Sequence, residues 1–318
     1  MKHSLFPLCY GTALVLFTAY LALDTFVLRT AYQTDATQMN TAMFDTTEAE
    51  QTPTQAGTQA AHRHRSGGEA QAGAGSQSGS DPSVTETDGA QITVTEYEAY
   101  DTRIYVADVL LPSVQALKTA FAEDTYGRNI TANTSEIAAA HDAVFAVNGD
   151  YYGAQERGIV IRNGVIYRDT PGTNDVLCIY ADGTMQVVSP DACTAQELVD
   201  SGVWQAFSFG PGLLANGEIT VTQDQEVGKA MASNPRTAIG QIDANHFVFV
   251  VSDGRTEESA GLSLYELAQF MQELGVTTAY NLDGGGSSTM YYNDEVINNP
   301  TTGGRIKERG VSDIVYIG

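Results

Sequence analysis

Thr277-Thr278-Ala279-Tyr280-Asn281-Leu282-Asp283-Gly284-Gly285-Gly286-Ser287-Ser288-Thr289-Met290-Tyr291-Tyr292 sets two short runs of strand formers on either side of one acid, three glycines and two serines. This pattern predicts a strand that ends at a turn and exposes a carboxylate there. Successive glycines reach backbone angles closed to other residues, so several N–H groups can face one point and an anionic oxygen can approach the main chain. The hydroxyls of Ser287 and Ser288 add donors. A Gly-rich hairpin loop with Asp283 as turn former looks the same locally, and only the rest of the chain separates the two.

Two other strand ends repeat the theme. Ala143-Val144-Phe145-Ala146-Val147 is a buried strand type that delivers Asn148-Gly149-Asp150-Tyr151-Tyr152, although Asn-Gly is also an ordinary hairpin turn. His246 to Val251 is the most hydrophobic strand of the chain and ends in Ser252-Asp253-Gly254-Arg255. In Asn234-Pro235-Arg236-Thr237-Ala238-Ile239-Gly240 a guanidinium sits between a turn and an apolar strand. Its fork suits a phosphate or carboxylate ligand, and a neighbouring acid is the competing partner.

Between these points strand signals outnumber helical ones. Ile92 to Tyr97 and Arg103 to Leu110 alternate as half-buried strands, and Asn163-Gly164 and Asp182-Gly183 each join two short strands as hairpins. Arg162, beside the first of these turns, is expected in solvent. Helical spacing is read over Ser113 to Phe121, Ser135 to His141, Thr194 to Val199 and Ser263 to Leu274, the last two opening with capping boxes. Glu266 is thereby a capping residue. The expected fold is α+β, a mostly antiparallel or mixed sheet carrying a few helices, in one catalytic domain over residues 91–318.

Leu5 to Leu23 is almost wholly apolar behind Lys2, which predicts a membrane anchor or an uncleaved signal over residues 1–32 with the remaining chain outside the cytoplasm; a signal peptide cleaved near the small residues of Ala19 to Ala22 is the competing reading. Residues 33–90 are rich in Gln, Thr, Ala, Gly and Ser and read as a disordered linker; His62-Arg63-His64-Arg65 within it reads as a solvated basic patch. A net charge of -23, with 39 acids against 16 basic residues, argues against nucleic acid. An anionic substrate must be drawn by a few local arginines. Of three cysteines, Cys178 and Cys193 are the possible internal pair, bonded or free. His141 and His246 border apolar segments without triad partners, and no cysteine or histidine cluster has zinc spacing. No cofactor is expected; a calcium or magnesium ion on Asp283, Asp253 or Asp150 stays open.

Taken together, NGDYY at 148–152, NPRTAIG at 234–240, SDGR at 252–255, SLYELAQFM in the last helix and NLDGGGSSTM at 281–290 resemble the phosphodiester glycosidase family, over about residues 92–318 and in the same order. The resemblance implies hydrolysis of a sugar 1-phosphodiester of the N-acetylhexosamine type at the anomeric carbon, in cell-envelope or exopolysaccharide metabolism. The substrate is then a glycan or sugar phosphate of the envelope, met by a protein held at the membrane through its N-terminal helix. Cleavage of a glycosyl–oxygen bond passes through an oxocarbenium-like state and wants a carboxylate beside the anomeric carbon. Asp283 and Asp253 are the leading carboxylates and Asp150 the third. Arg236, Gly284, Gly285, Gly286, Ser287, Ser288, Asn148 and Arg255 are the expected substrate and phosphate contacts. A wall-glycan or teichoic-acid-binding module without turnover is the alternative.

Overall fold

The computed structural model describes residues 6–45, 78–226 and 233–318. Three antiparallel sheets share one interior. The largest runs Glu218–Ile219, Gly212–Ala215, Thr278–Asn281, Thr237–Asp243, His246–Ser252, Thr102–Leu110, Ala90–Ala99 and Ser78–Gly79, with Ser83–Thr87 also paired to Ala90–Ala99. The second runs Glu295–Val296, Met290–Tyr292, Phe145–Asn148, Asp313–Ile317 and Lys118–Phe121. The third runs Val165–Thr170, Gly158–Arg162, Val203–Phe207, Val176–Tyr180 and Met185–Val188. All pairings between these strands are antiparallel, the first of the two expected forms of the sheet, and the few helices match expectation.

Side chains alternate along a strand, so each sheet has an inner and an outer face. Val109, Phe249 and Val251 of the first sheet, Phe145, Val147 and Val315 of the second, and Leu177, Trp204 and Phe207 of the third form one buried cluster. Each outer face is closed by a single helix: Leu264–Glu273 over Val106, Val248 and Val250, Thr134–Ala140 over Ala146 and Ile314, and Ala195–Asp200 over Ile161, Cys178 and Ala206. The capping boxes of the first and last are made, with Ser263 Oγ accepting from Glu266 N at 3.2 Å and Thr194 Oγ1 accepting from Glu197 N at 3.2 Å. Asn163 and Gly164 close their hairpin with φ of 51° and 74°, the paired positive angles that an Asn-Gly turn supplies. Cys178 and Cys193 are both free thiols.

Three expectations are corrected. The helix read over Ser113 to Phe121 is a single 3-10 turn, Val114–Ala116, followed by the strand Lys118–Phe121. Val114, Leu117 and Phe121 mimic helical spacing, but pairing with Asp313–Ile317 prevails over that local pattern. Arg162 is fully buried rather than solvated. Parts of the expected anchor segment and of the expected linker are docked on the domain. Thr30–Gln33 pairs with Tyr126–Arg128, Ala36 is buried among Phe121, Tyr126 and Tyr152, and the Phe44 ring meets Trp204 edge-on at 5.1 Å. A few small and aromatic side chains suffice for this in an otherwise polar stretch. The basic patch at 62–65 lies outside the described residues.

Phe6–Phe26 is helical, and Leu14, Val15, Leu16, Phe17, Tyr20, Leu21 and Leu23 on it are exposed. Among the described residues, no helix is long and apolar enough to cross a membrane.

Candidate active site

The site lies where strands of the three sheets end together. Phe145–Asn148 and Asp313–Ile317 are neighbours with Asn148 opposite Ile314, so the Asn148-Gly149-Asp150 exit faces Ser312 and Asp313. Gly149 N donates to Asp313 O at 3.0 Å, and Asp283 N donates to Gly149 O at 3.3 Å. Asn148 fastens this junction from beneath. Its amide donates to Asp283 O at 2.6 Å, while its carbonyl oxygen accepts from Thr237 Oγ1 at 2.8 Å and Thr289 N at 3.3 Å. One buried amide therefore joins the second sheet to the first, and the two acid-bearing turns become adjacent.

A cavity of about 160 Å³ opens above that junction, lined by Asp150, Tyr151, Asp283, Ser287, Arg309 and Ser312 among others. Asp283 Oδ1 accepts from Gly284 N at 2.9 Å, and Oδ2 accepts from Ser287 Oγ at 2.6 Å and Arg309 Nη2 at 2.9 Å. Burial pushes the Asp283 carboxyl above the ordinary range, although Arg309 and Ser287 pull the other way. Among the described residues lining the cavity, Arg309 is the one cation, and its side chain is 43% exposed. It is held by Ser287 Oγ at 2.9 Å from Nε and by Gly284 O at 3.1 Å from Nη2. Its own N–H donates to Gly286 O at 3.1 Å.

Asp150 is held from three sides. Oδ1 accepts from Tyr152 N at 3.0 Å and faces Arg162 Nη2 at 3.0 Å, and Oδ2 accepts from Ser208 N at 3.0 Å. Arg162 reaches across from the third sheet, its guanidinium 4.1 Å from the Phe207 ring centre. It also donates from Nε to Asp313 Oδ2 at 2.7 Å and from Nη1 to the carbonyls of Ile161 and Ala206. Burial alone would weaken its proton affinity, but the carboxylates of Asp313 and Asp150 more than offset this and raise it. Tyr152 is buried in an aromatic cluster, stacked on Tyr126 at 5.1 Å, while Tyr151 stays 44% exposed on the cavity wall.

Asp150, Asp283 and Ser287 of the expected set are thus brought together, with Asn148 as their fastening. Asp253 is not on the cavity wall. Its oxygens accept from Asn299 N at 2.7 Å, Asn299 Nδ2 at 3.0 Å and Asn298 Nδ2 at 3.3 Å, an anchor for the loop after Glu295–Val296. Arg236 is also outside the lining. It donates from Nε to Leu262 O at 2.8 Å and pairs with Glu226 at 2.5 Å, and burial lowers its proton affinity despite Glu226. Arg255 donates to Asn234 Oδ1 at 2.7 Å and lies against Gly285, whose φ of 63° needs glycine. The amides of Gly284, Gly285, Ser287 and Ser288 are spent on Asp283 Oδ1, Pro235 O, Gly284 O and Gly285 O, so they brace the turn. Ser288 Oγ is buried without a hydrogen-bond partner.

Arg309, Arg162 and Asp313 are the residues that the motifs did not single out. A lone arginine in the 307–311 loop carries no local signature; poverty in cations was the one available hint. Among the described residues no group of three or more His, Cys, Asp or Glu side chains is arranged to hold a metal ion. His246 pairs with Asp108 at 2.9 Å and His141 with Asp124 at 3.2 Å, and neither lines the cavity.

Known proteins resemble this chain in sequence and in fold. A Bacillus subtilis protein, SPbeta prophage-derived YomE, is 30% identical over 181 residues, which cover 55% of this chain and 28% of that protein. The mouse N-acetylglucosamine-1-phosphodiester alpha-N-acetylglucosaminidase is 33% identical over 101 residues, covering 28% of this chain and 19% of the enzyme. The chain therefore matches under a third of the length of these relatives. The zebrafish enzyme of the same name, solved as its catalytic domain auto-inhibited by a pro-peptide, superposes with a TM-score of 0.57 at 22% identity over 76% of this chain and 83% of that one, a likeness of fold. Residues 141–318 match the phosphodiester glycosidase family, and they contain Asp150, Arg162, Asp283, Ser287, Arg309 and Asp313. The chain belongs to the phosphodiester glycosidase family of hydrolases.

Proposed function

We propose that this protein hydrolyses a sugar 1-phosphodiester at the anomeric carbon, releasing the free sugar and a phosphomonoester. The observation that carries the reading is the placing of Asp150 and Asp283 on one cavity beside an exposed arginine. In the reaction the C1–O bond to phosphate breaks, and a water oxygen ends on C1. The water's proton passes to a carboxylate, and the bond electrons leave with the phosphate. Asp150, fixed by Tyr152 N, Ser208 N and Arg162, suits the carboxylate that supports the electron-poor carbon. Asp283, with its affinity for a proton raised by burial, suits the group that carries a proton. Arg309 meets the departing phosphate and balances its charge. Tyr151, half exposed on the wall, offers an aromatic face to the sugar ring.

The names of the mammalian relatives support an N-acetylhexosamine as the sugar. The apolar side chains exposed along Phe6–Phe26, a helix that falls short of a membrane crossing, support a domain held at a membrane surface outside the cytoplasm and acting on envelope or exopolysaccharide material. The purified full chain is expected to release N-acetylhexosamine from a 1-phosphodiester, with a phosphomonoester signal growing in 31P NMR. No release from any such diester, while a matched glycosidase control works, would remove the reading. Saturable binding without product would establish the glycan-binding alternative.

A further inference from the structure

Arg162 stands between two buried acids. It faces Asp150 Oδ1 at 3.0 Å and Asp313 Oδ2 at 2.7 Å, with all three side chains at most 1% exposed. Asp150 reaches the cavity; Asp313 does not line it. Asp313 Oδ1 is buried with no hydrogen-bond partner, an expensive state for an ionised carboxylate. Gly149 leaves the space for that oxygen, since a Cβ there would fall on it. A single guanidinium cannot neutralise two carboxylates, so a full complement of charges leaves the cluster at net -1 inside the protein.

We propose that Asp313 is a positioning residue for catalysis, competing with Asp150 for the one guanidinium of Arg162 and so setting how much negative charge Asp150 presents to the anomeric carbon. The proposal rests on the glycosidase reading above. Three groups face Asp313 besides its own strand: Arg162 from Gly158–Arg162, Asp150 from the turn after Phe145–Asn148, and Asp283 from the turn after Thr278–Asn281; Tyr152 stands nearby as a neutral phenol. Burial first, then Asp150 and Asp283, push the Asp313 carboxyl up to about 7, against the pull of Arg162. With Asp313 protonated, Arg162 pairs wholly with Asp150. When that proton leaves to solvent, Arg162 is shared, and Asp150 is left with more charge for the oxocarbenium-like carbon.

The test is the pH profile of the full-length protein on a soluble sugar 1-phosphodiester. Wild-type kcat is expected to rise about fivefold across neutrality. Asp313→Asn should flatten that rise at its low-pH level and leave KM within about twofold, because the residue touches no substrate. An unchanged step in Asp313→Asn, or a change confined to KM, would overturn the proposal. A second measurement needs no variant and no turnover. With aspartate carboxyl carbons labelled, 13C NMR of the wild type should show an aspartate titrating near neutrality; if every aspartate titrates in the ordinary acid range, Asp313 does not hold the proton and the idea fails. A wild type inactive on all sugar phosphodiesters would remove the glycosidase reading, and the NMR titration would still report on the shared guanidinium.

Discussion

Arg309 and Asp283 are joined twice, directly at 2.9 Å and through Ser287 Oγ, which lies 2.6 Å from each. The acid and the cation of the cavity are therefore one hydrogen-bonded unit. Asp283→Asn keeps the size and one acceptor oxygen, so melting temperature should barely move. Turnover should fall by about 100-fold or more, as expected for removal of a proton-carrying group. Full activity in that variant, measured by sugar release, would take Asp283 out of the mechanism.

Arg309→Ala separates phosphate recognition from sugar recognition. A charge-assisted hydrogen bond contributes ~1.5–3 kcal/mol, so kcat/KM for a phosphodiester should drop roughly 10- to 100-fold. Binding of the free sugar should be little changed, a contrast that isothermal titration can read.

Arg162 is buried between Asp150 and Asp313, and removing it strands both. Arg162→Met should destabilise the fold by ~3–5 kcal/mol in urea unfolding. A loss below ~1 kcal/mol would mean that the two acids do not depend on this cation.

Stability should respond to pH in an unusual direction. Asp313 and Asp283 both hold their protons more tightly folded than unfolded. Below about pH 4 both states are protonated and nothing is lost. As pH rises from there to about 7 the unfolded chain releases the proton first, so the contribution of Asp313 to stability declines and then levels off. The slope is at most ~1.4 kcal/mol per pH unit for one such group. Thermal melts across this window should show the decline, and Asp313→Asn should lessen it.

Asp253 offers the opposite contrast. Its oxygens hold Asn298 and Asn299, away from the cavity wall. Asp253→Asn should cost ~1 kcal/mol of stability and leave turnover within a few-fold. Loss of activity in a stably folded variant would bring Asp253 back among the reacting groups.

Much of this arrangement is readable along the chain. Phe145 to Asn148 and Thr278 to Asn281 are apolar runs that stop at a glycine beside an acid, and period-two strands with abrupt polar ends are local signals. Asp253 shows where the signal is degenerate, because the same local pattern ends a strand whose acid anchors a loop. The role of Arg162 is not local at all. It follows from Asp313, 151 residues further on, and from a third sheet that slides the hairpin over the site. The amides of the glycine turn point the same way, since donors that look free in sequence are taken up by Pro235 O and by the turn itself.

The docked N-terminal segment changes what kind of machine this is. Leu28 O accepts from Asn129 Nδ2 at 3.0 Å, and Asn129 is on the cavity wall, while the helix ends at Phe26. Two residues of chain span no more than ~7 Å. The helix thus ends within a short reach of the cavity wall. A surface that held the helix would therefore hold the cavity beside it as well, since Val27 and Leu28 alone separate the helix from the contact at Asn129.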